Sequence, residues 1–301
     1  MTKPESGTAA VLRQPIPLRR DFTDRAELGR YVASLCGYGE EAADHAEPRL
    51  DTEAIMPASG AAAEARLAAM DPPRYGKSRN YLEGAVTRLS PYIRHGMLSL
   101  NRVRNTALDS VGRPQEAEKL IQELAWREYW QQLAIAHPDW LWQDAEPYKT
   151  GFVAADYADD LPADLAAGET GVAAIDGFVH ELTTTGWLHN HARMYLAAYT
   201  VHWRQVKWQA GARWFLLHLL DGDMASNNFS WQWVASTLSN KPYIFNLENL
   251  RKYAGGTGPS GGTGPSGGRI NTSARDNTVL DASYDELAER LFRLDELSLR
   301  G

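Results

Sequence analysis

Apolar residues recur along this chain at intervals of three and four rather than two, the spacing of helices that bury one face. Leu28, Tyr31, Val32 and Leu35 set out a first helix, and the alanine-rich stretch 58–70 a second that runs into Asp71-Pro72-Pro73. Further helices are expected near 98–108, 114–136, 172–185, 187–208, 211–220 and 281–292, with breaks at Pro138 and Gly186. No succession of β-branched strands appears, so the expected fold is mainly α. Residues 255–268 read Gly-Gly-Thr-Gly-Pro-Ser twice, then Gly-Gly, a repeat with nothing to bury. It is expected to be a flexible linker and carries no assigned chemistry. The expected organisation is a tail and helical lead-in over 1–70, a core over 71–254, the linker, and a helical segment over 269–301.

One stretch breaks the apolar pattern. Asp221-Gly-Asp-Met-Ala-Ser-Asn-Asn-Phe-Ser-Trp-Gln-Trp233 is too polar for core and too aromatic for a solvated loop. Asp223, Asn227 and Trp231 stand four apart, as on one face of a helix fed by a turn. Such a set suits a planar, polar, aromatic ligand. Elsewhere Glu123, Trp126, Arg127 and Trp130 share a face at i, i+3, i+4 and i+7, and charges on that face point to a pocket rather than core. Asn190, Arg193 and Met194 share another, and Arg193 is a natural partner for Asp221. Thr87, Arg88 and Ser90 offer hydroxyls, a guanidinium and backbone N–H groups at the start of a helix, a good phosphate site.

Composition narrows the classes. The 301 residues carry a net charge of −7, so bulk charge does not hold this protein on nucleic acid, and a phosphate patch would have to be local. Arg88, Arg94, Arg102, Arg104, Arg127 and Arg204 are the candidates for such a patch. All ten tryptophans fall between residues 126 and 233. The single Cys36 excludes an intramolecular disulfide and a multi-cysteine metal site, and no metal-ligand spacing appears. No apolar run approaches the roughly 20 residues that span a bilayer. A soluble, cytoplasmic monomer is expected.

Four blocks, in order, resemble the DNA photolyase and cryptochrome family. Tyr75-Gly-Lys-Ser-Arg79 with Thr87-Arg-Leu-Ser-Pro-Tyr92 is similar to its phosphate-gripping tyrosine and T/S-R-L-S-P motif. Glu123-Leu-Ala-Trp-Arg-Glu128 is similar to its E-L-x-W-R-E helix, and Thr185-Gly-Trp-Leu-His-Asn-His-Ala-Arg-Met194 to its T-G-W-x-H-N-x-x-R-M helix. The stretch 221–233 resembles its flavin-contacting core. The resemblance implies a helical FAD-binding catalytic domain without the N-terminal α/β antenna domain, hence noncovalent FAD and no antenna chromophore.

By that resemblance Tyr75, Thr87, Arg88, Leu89 and Ser90 hold the diphosphate. Arg127, Asn190, the Arg193–Asp221 pair, Asp223 and Asn227 line the flavin, with Asn227 facing its N5. Glu123, Trp126, Asn190, His191, Met194 and Trp233 meet a damaged base. Trp231 and Trp208 are the first two stations of a photoreduction chain. The (6-4) pattern H-H-x-x-R-H is absent, since Asn190 and Met194 stand where its histidines would, and cyclobutane dimers in damaged DNA are the expected substrate. Three positions depart from the family. The step from Tyr75 to Thr87 is one residue shorter, His191 stands where arginine is common, and Leu165 stands where a third station is expected. Routes through Trp203, Trp214, Tyr195 or Tyr199 are the alternatives. A blue-light photoreceptor, or a flavoprotein acting on something other than DNA, are the competing functions.

Overall fold

The computed structural model describes residues 56–254 and 270–293, with a few positions between 19 and 31. The chain divides into two units, Met1–Arg49 and Leu50–Gly301. In the first, Glu27, Arg30 and Tyr31 are helical, while Leu28, Val32, Leu35 and Cys36 lie outside the described residues. So do the repeat 255–268 and residues 294–301.

Among its described residues the second unit is built of helices joined by turns and loops. We label its helices α1 (Gly60–Ala68), α2 (Pro72–Ser78), α3 (Ser90–Arg94), α4 (Leu100–Asp109), α5 (Glu118–Ala136) and α6 (Ala163–Ala167). They continue as α7 (Ala173–Thr185), α8 (Asn190–Ala198), α9 (Trp208–His218), α10 (Met224–Ala235), α11 (Leu247–Ala254) and α12 (Tyr284–Leu291). Among the described residues the only β pairing is a single bridge between Ala158 and Val206, so the mainly α expectation holds. None of these helices is long and apolar enough to cross a membrane.

Local chemistry sets the ends. Ser59, Asp71, Ser99, Asp223 and Ser283 each accept an orphan N–H at a helix start. Gly168 and Gly186 end α6 and α7 at φ 71° and 65°, where a Cβ would strain the backbone. Proline opens a 3₁₀ turn at Pro138–Leu141 directly after α5, so the breaks at Pro138 and Gly186 fall where the sequence puts them.

The single helix expected over 187–208 does not form. Residues 187–189 precede α8, and after Ala198 the chain makes a π-helical turn over Tyr199–Trp203. Gln205 then takes φ 46°, and α9 starts afresh at Trp208. Apolar spacing continues through this stretch, so periodicity alone does not register the wider turn.

The main core gathers Phe178, Leu182, Leu188, Tyr195, Leu196, Trp208, Phe215, Trp231 and Phe245, each side chain nearly sealed from water. Burying one such side chain contributes about 1.5–3 kcal/mol. A second cluster joins Leu67 of α1 to Leu89, Tyr92, Val103 and Trp187, so the lead-in helix is part of the same packing. Beyond the repeat, Ile270 and Leu280 pack on the main core, and Asn277 accepts from Ala174 N at 2.9 Å. α9 and α10 pack closely on one another, and α10 also packs on α5 and α8. That arrangement brings the three inner motif blocks together.

Candidate cofactor and substrate site

α10 is the centre of the site. Its N-cap Asp223 receives Ser226 N at 2.8 Å and, from α5, Gln131 Nε2 at 2.8 and 2.9 Å and Arg127 at 3.4 Å. Gln131, four residues after Arg127 on the same face, is a contributor the motif reading missed. One turn into α10, Asn227 donates through Nδ2 to Ala212 O at 3.0 Å and Asn228 Oδ1 at 2.9 Å. Its carboxamide oxygen is left to accept.

The expected charge pair forms. Arg193 of α8 reaches both oxygens of Asp221 at 2.8 and 3.0 Å and donates through Nε to Leu188 O. Asp221 is buried, with its side chain 4% exposed. A buried carboxylate persists only when so compensated. Beside it His189, the α8 N-cap, accepts His191 N on Nδ1 while its Nε2 is buried without a partner. Burial first, and then the positive fields of His191, Arg193 and Arg88, push its pKa down to about 3, so its ring is neutral.

Arg88 sits in the left-handed region at φ 52°, which favours glycine, and lays its guanidinium over Trp187 at 4.7 Å. Leu89 is core, which leaves its backbone alone to serve a ligand, and Thr87 accepts Leu89 N at 3.4 Å. Glu181 of α7, which the motifs did not single out, is raised to about 7 by burial, with Arg88 pulling the other way. Tyr75 lies apart from Thr87 in its bonding. It packs beside Ala107, Ala117 and Leu120, and burial and Glu123 raise its phenol to about 12. Glu123 meets Arg79 at 3.1 Å and Lys119 at 3.4 Å.

The aromatic positions separate into exposed and buried sets. Trp126 on α5 and Trp233 on α10 are 51% and 41% exposed. Trp126 stacks on Trp130 at 5.4 Å, and Trp130 meets Phe229 of α10 at 5.7 Å. Asn190 donates to Met194 Sδ at 3.7 Å. His191 is held between Tyr195 and Tyr253 at 5.2 and 4.7 Å, with Nδ1 2.7 Å from Asn80 O. Trp208 and Trp231 are buried, and Trp231 Nε1 has no partner. Leu165 is fully buried in the core.

The arginines proposed as a phosphate patch are partly committed. Arg102 pairs with Glu64 at 2.7 Å, Arg204 with Asp164 at 2.9 Å, and Arg127 with Asp223. Arg94 donates to Gly222 O at 2.6 Å. What the site offers is a strained, desolvated Arg88 beside two hydroxyl residues, a compensated Arg193–Asp221 pair, and buried polar atoms on His189, Ser226 and Trp231 awaiting partners. A polar, phosphate-bearing aromatic cofactor such as FAD fits that donor set.

Comparison with known proteins agrees. Residues 120–261 match the model for the FAD binding domain of DNA photolyase. The deoxyribodipyrimidine photo-lyase of Streptomyces griseus is 37% identical over 153 residues, covering 51% of this chain and 32% of that protein. That of Vibrio cholerae is 34% identical over 180 residues, covering 57% and 38%. The chain thus spans about a third of the length of these curated relatives. A bacterial class III photolyase from Agrobacterium tumefaciens superposes with a TM-score of 0.60 at 22% identity, over 83% of this chain and 57% of that one. A cryptochrome from Synechocystis gives 0.60 at 20%, over 80% and 55%. At such identity these structures speak for the fold.

Proposed function

The helical core of this chain belongs to the FAD-binding domains of the DNA photolyase and cryptochrome family, and from that premise we propose that it repairs cyclobutane pyrimidine dimers in DNA under blue light. FAD, bound noncovalently and reduced, would supply on excitation the electron that opens the dimer and would take it back afterwards. The chain's own residues bind, orient and exclude water. Thr87, Arg88, the Leu89 backbone and Ser90 hold the diphosphate, with Tyr75 at its margin. Asp223, fixed by Arg127 and Gln131, accepts from the ribityl side or ring edge. The Arg193–Asp221 pair would present charge to the isoalloxazine, and the Asn227 oxygen would be its acceptor from this helix.

The observation that carries the substrate reading is that α5 and α10, packed on each other, each leave an indole in solvent, Trp126 and Trp233. Large exposed aromatic rings at adjoining helices suit extruded bases, which stack at about 1–3 kcal/mol each. Glu123 then hydrogen-bonds a base edge, and Asn190, His191 and Met194 complete the lesion contact. Asparagine and methionine at 190 and 194 offer no acid to a (6-4) product, which favours the cyclobutane class.

A binding experiment tests this reading. The holoprotein should prefer a thymine-dimer oligonucleotide to the undamaged one, and Trp126→Ala should weaken dimer binding by about 1–3 kcal/mol while keeping its flavin. Equal affinity for damaged and undamaged DNA would remove the substrate reading.

A further inference from the structure

An electron-poor group buried in a protein can be refilled only along rings that lie close together, because electron transfer decays steeply with distance. Trp208 is fully buried, so it cannot itself meet a solvent reductant. Leu165 offers no oxidisable ring. The structure supplies one elsewhere. Trp142 lies parallel to Trp208, with ring centroids 6.5 Å apart and planes 8° apart. Among the described residues it is the ring stacked on Trp208. Inward, Gly211 stands three residues after Trp208 on α9, and a Cβ there would fall 2.2 Å from the Trp231 ring. Trp231 of α10 therefore packs against the face of α9 that carries Trp208.

Trp142 is held in place from two helices. Asn228 and Gln232 of α10 donate to the Leu141, Trp140 and Gln143 carbonyls, at 2.6, 2.5 and 3.2 Å. Gln209 of α9 donates to Trp142 O at 3.4 Å and to Asp144 Oδ1 at 3.1 Å. Asp144 also receives Trp208 Nε1–H at 2.6 Å, so a carboxylate faces the middle ring and favours positive charge there. Arg213 covers Trp142 at 4.8 Å. It is exposed, so water screens its repulsion, and it favours loss of the indole proton.

The other rings fail on their surroundings. Trp214 reaches Trp231 through Phe215, whose benzene ring is too hard to oxidise. Trp203 packs with Tyr199 and Phe245, away from Trp208 in its ring contacts. The Tyr148 hydroxyl is buried without a partner, so an oxidised Tyr148 has nowhere to send its proton.

We infer that Trp142 is the outer relay of a Trp231–Trp208–Trp142 chain that reduces the bound flavin in light. The inference rests on the flavin reading above. For each photon, Trp231 would give one electron to oxidised flavin and regain one from Trp208, and Trp208 one from Trp142. Trp142 loses its Nε1 proton to water. A thiol returns a hydrogen atom to it, and two thiyl radicals couple to a disulfide.

The test follows anaerobic bleaching of the oxidised-flavin band under blue light with dithiothreitol. Trp142→Phe should slow photoreduction by about tenfold or more, whereas Trp203→Phe should stay near wild type. Trp142→Tyr should recover much of the rate, since a phenol at this half-buried position is oxidisable and can lose its proton. Phenylalanine and tyrosine fill the same ring space, so a packing role would not separate them. In the unaltered holoprotein, a nitroso spin trap followed by peptide mass spectrometry should mark Trp142. Wild-type photoreduction by Trp142→Phe, an adduct on Trp203 or Trp214 instead, or no photoreduction of the wild type would overturn the inference. Dimer cleavage by dithionite-reduced wild type reads the repair function separately, because it needs no photoreduction.

Discussion

Asp221 and Arg193 are the pair on which the proposed flavin site turns. Removing the guanidinium leaves a carboxylate buried and uncompensated, at a loss of about 3–5 kcal/mol. Arg193→Leu should therefore lower unfolding stability more than Asp221→Asn, which leaves a neutral amide facing an arginine that is partly exposed. Urea denaturation of the two apoproteins decides this, and equal losses would count against a compensated buried charge. Glu181 makes a second residue-scale prediction. Its acid is raised from 4.5 to about 7 in the fold, so the folded state favours the protonated form. Stability from this group is full below the unfolded value and is lost as pH rises through about 7, amounting to about 3 kcal/mol. Glu181→Gln should thus raise the melting temperature of the apoprotein at pH about 8 more than at pH about 5. An identical shift at both would contradict the assignment. His189 acts at the other end of the range. Its depressed pKa gives stability above the ordinary histidine value that is lost as pH falls toward about 3.

At the scale of elements, the α9–α10 contact is tight enough to be tested by a single methyl group. Gly211→Ala would set a Cβ 2.2–2.3 Å from Trp231 ring carbons, so the indole or a helix must move. A loss of about 1–3 kcal/mol in stability is expected, together with weaker flavin retention, readable by thermal melting and flavin titration. Helix existence was legible in the sequence because one apolar face repeats over α4, α5, α7, α9 and α12. The break inside 187–208 was not, because a π turn and a left-handed Gln205 leave apolar spacing undisturbed. The Arg193–Asp221 pair was legible from opposite charges in two motif blocks. Trp142 was not, since its place on Trp208 is set by Asn228, Gln232 and Gln209 holding a loop that has no period of its own. Gln131 had a visible signal, its position four residues after Arg127, but only the fold shows Asp223 waiting opposite.

For the whole molecule, the acidic balance and the paired arginines bear on how the proposed DNA substrate would be met. With Arg102, Arg127 and Arg204 already facing carboxylates, few of the candidate arginines would be left for phosphates. Binding to a lesion should accordingly lean on aromatic stacking, and its affinity should fall only shallowly with added salt. A steep dependence, as for a protein neutralising many phosphates, would contradict that view. Dimer cleavage itself decides whether the protein carries out the proposed repair. The flavin-loaded protein is reduced with dithionite, mixed with an oligonucleotide carrying one cyclobutane thymine dimer, and lit with blue light, with dark and oxidised samples alongside. Chromatography of the product should show restored thymines in the lit, reduced sample alone; an unchanged dimer there, with flavin bound and reduced, would contradict the account.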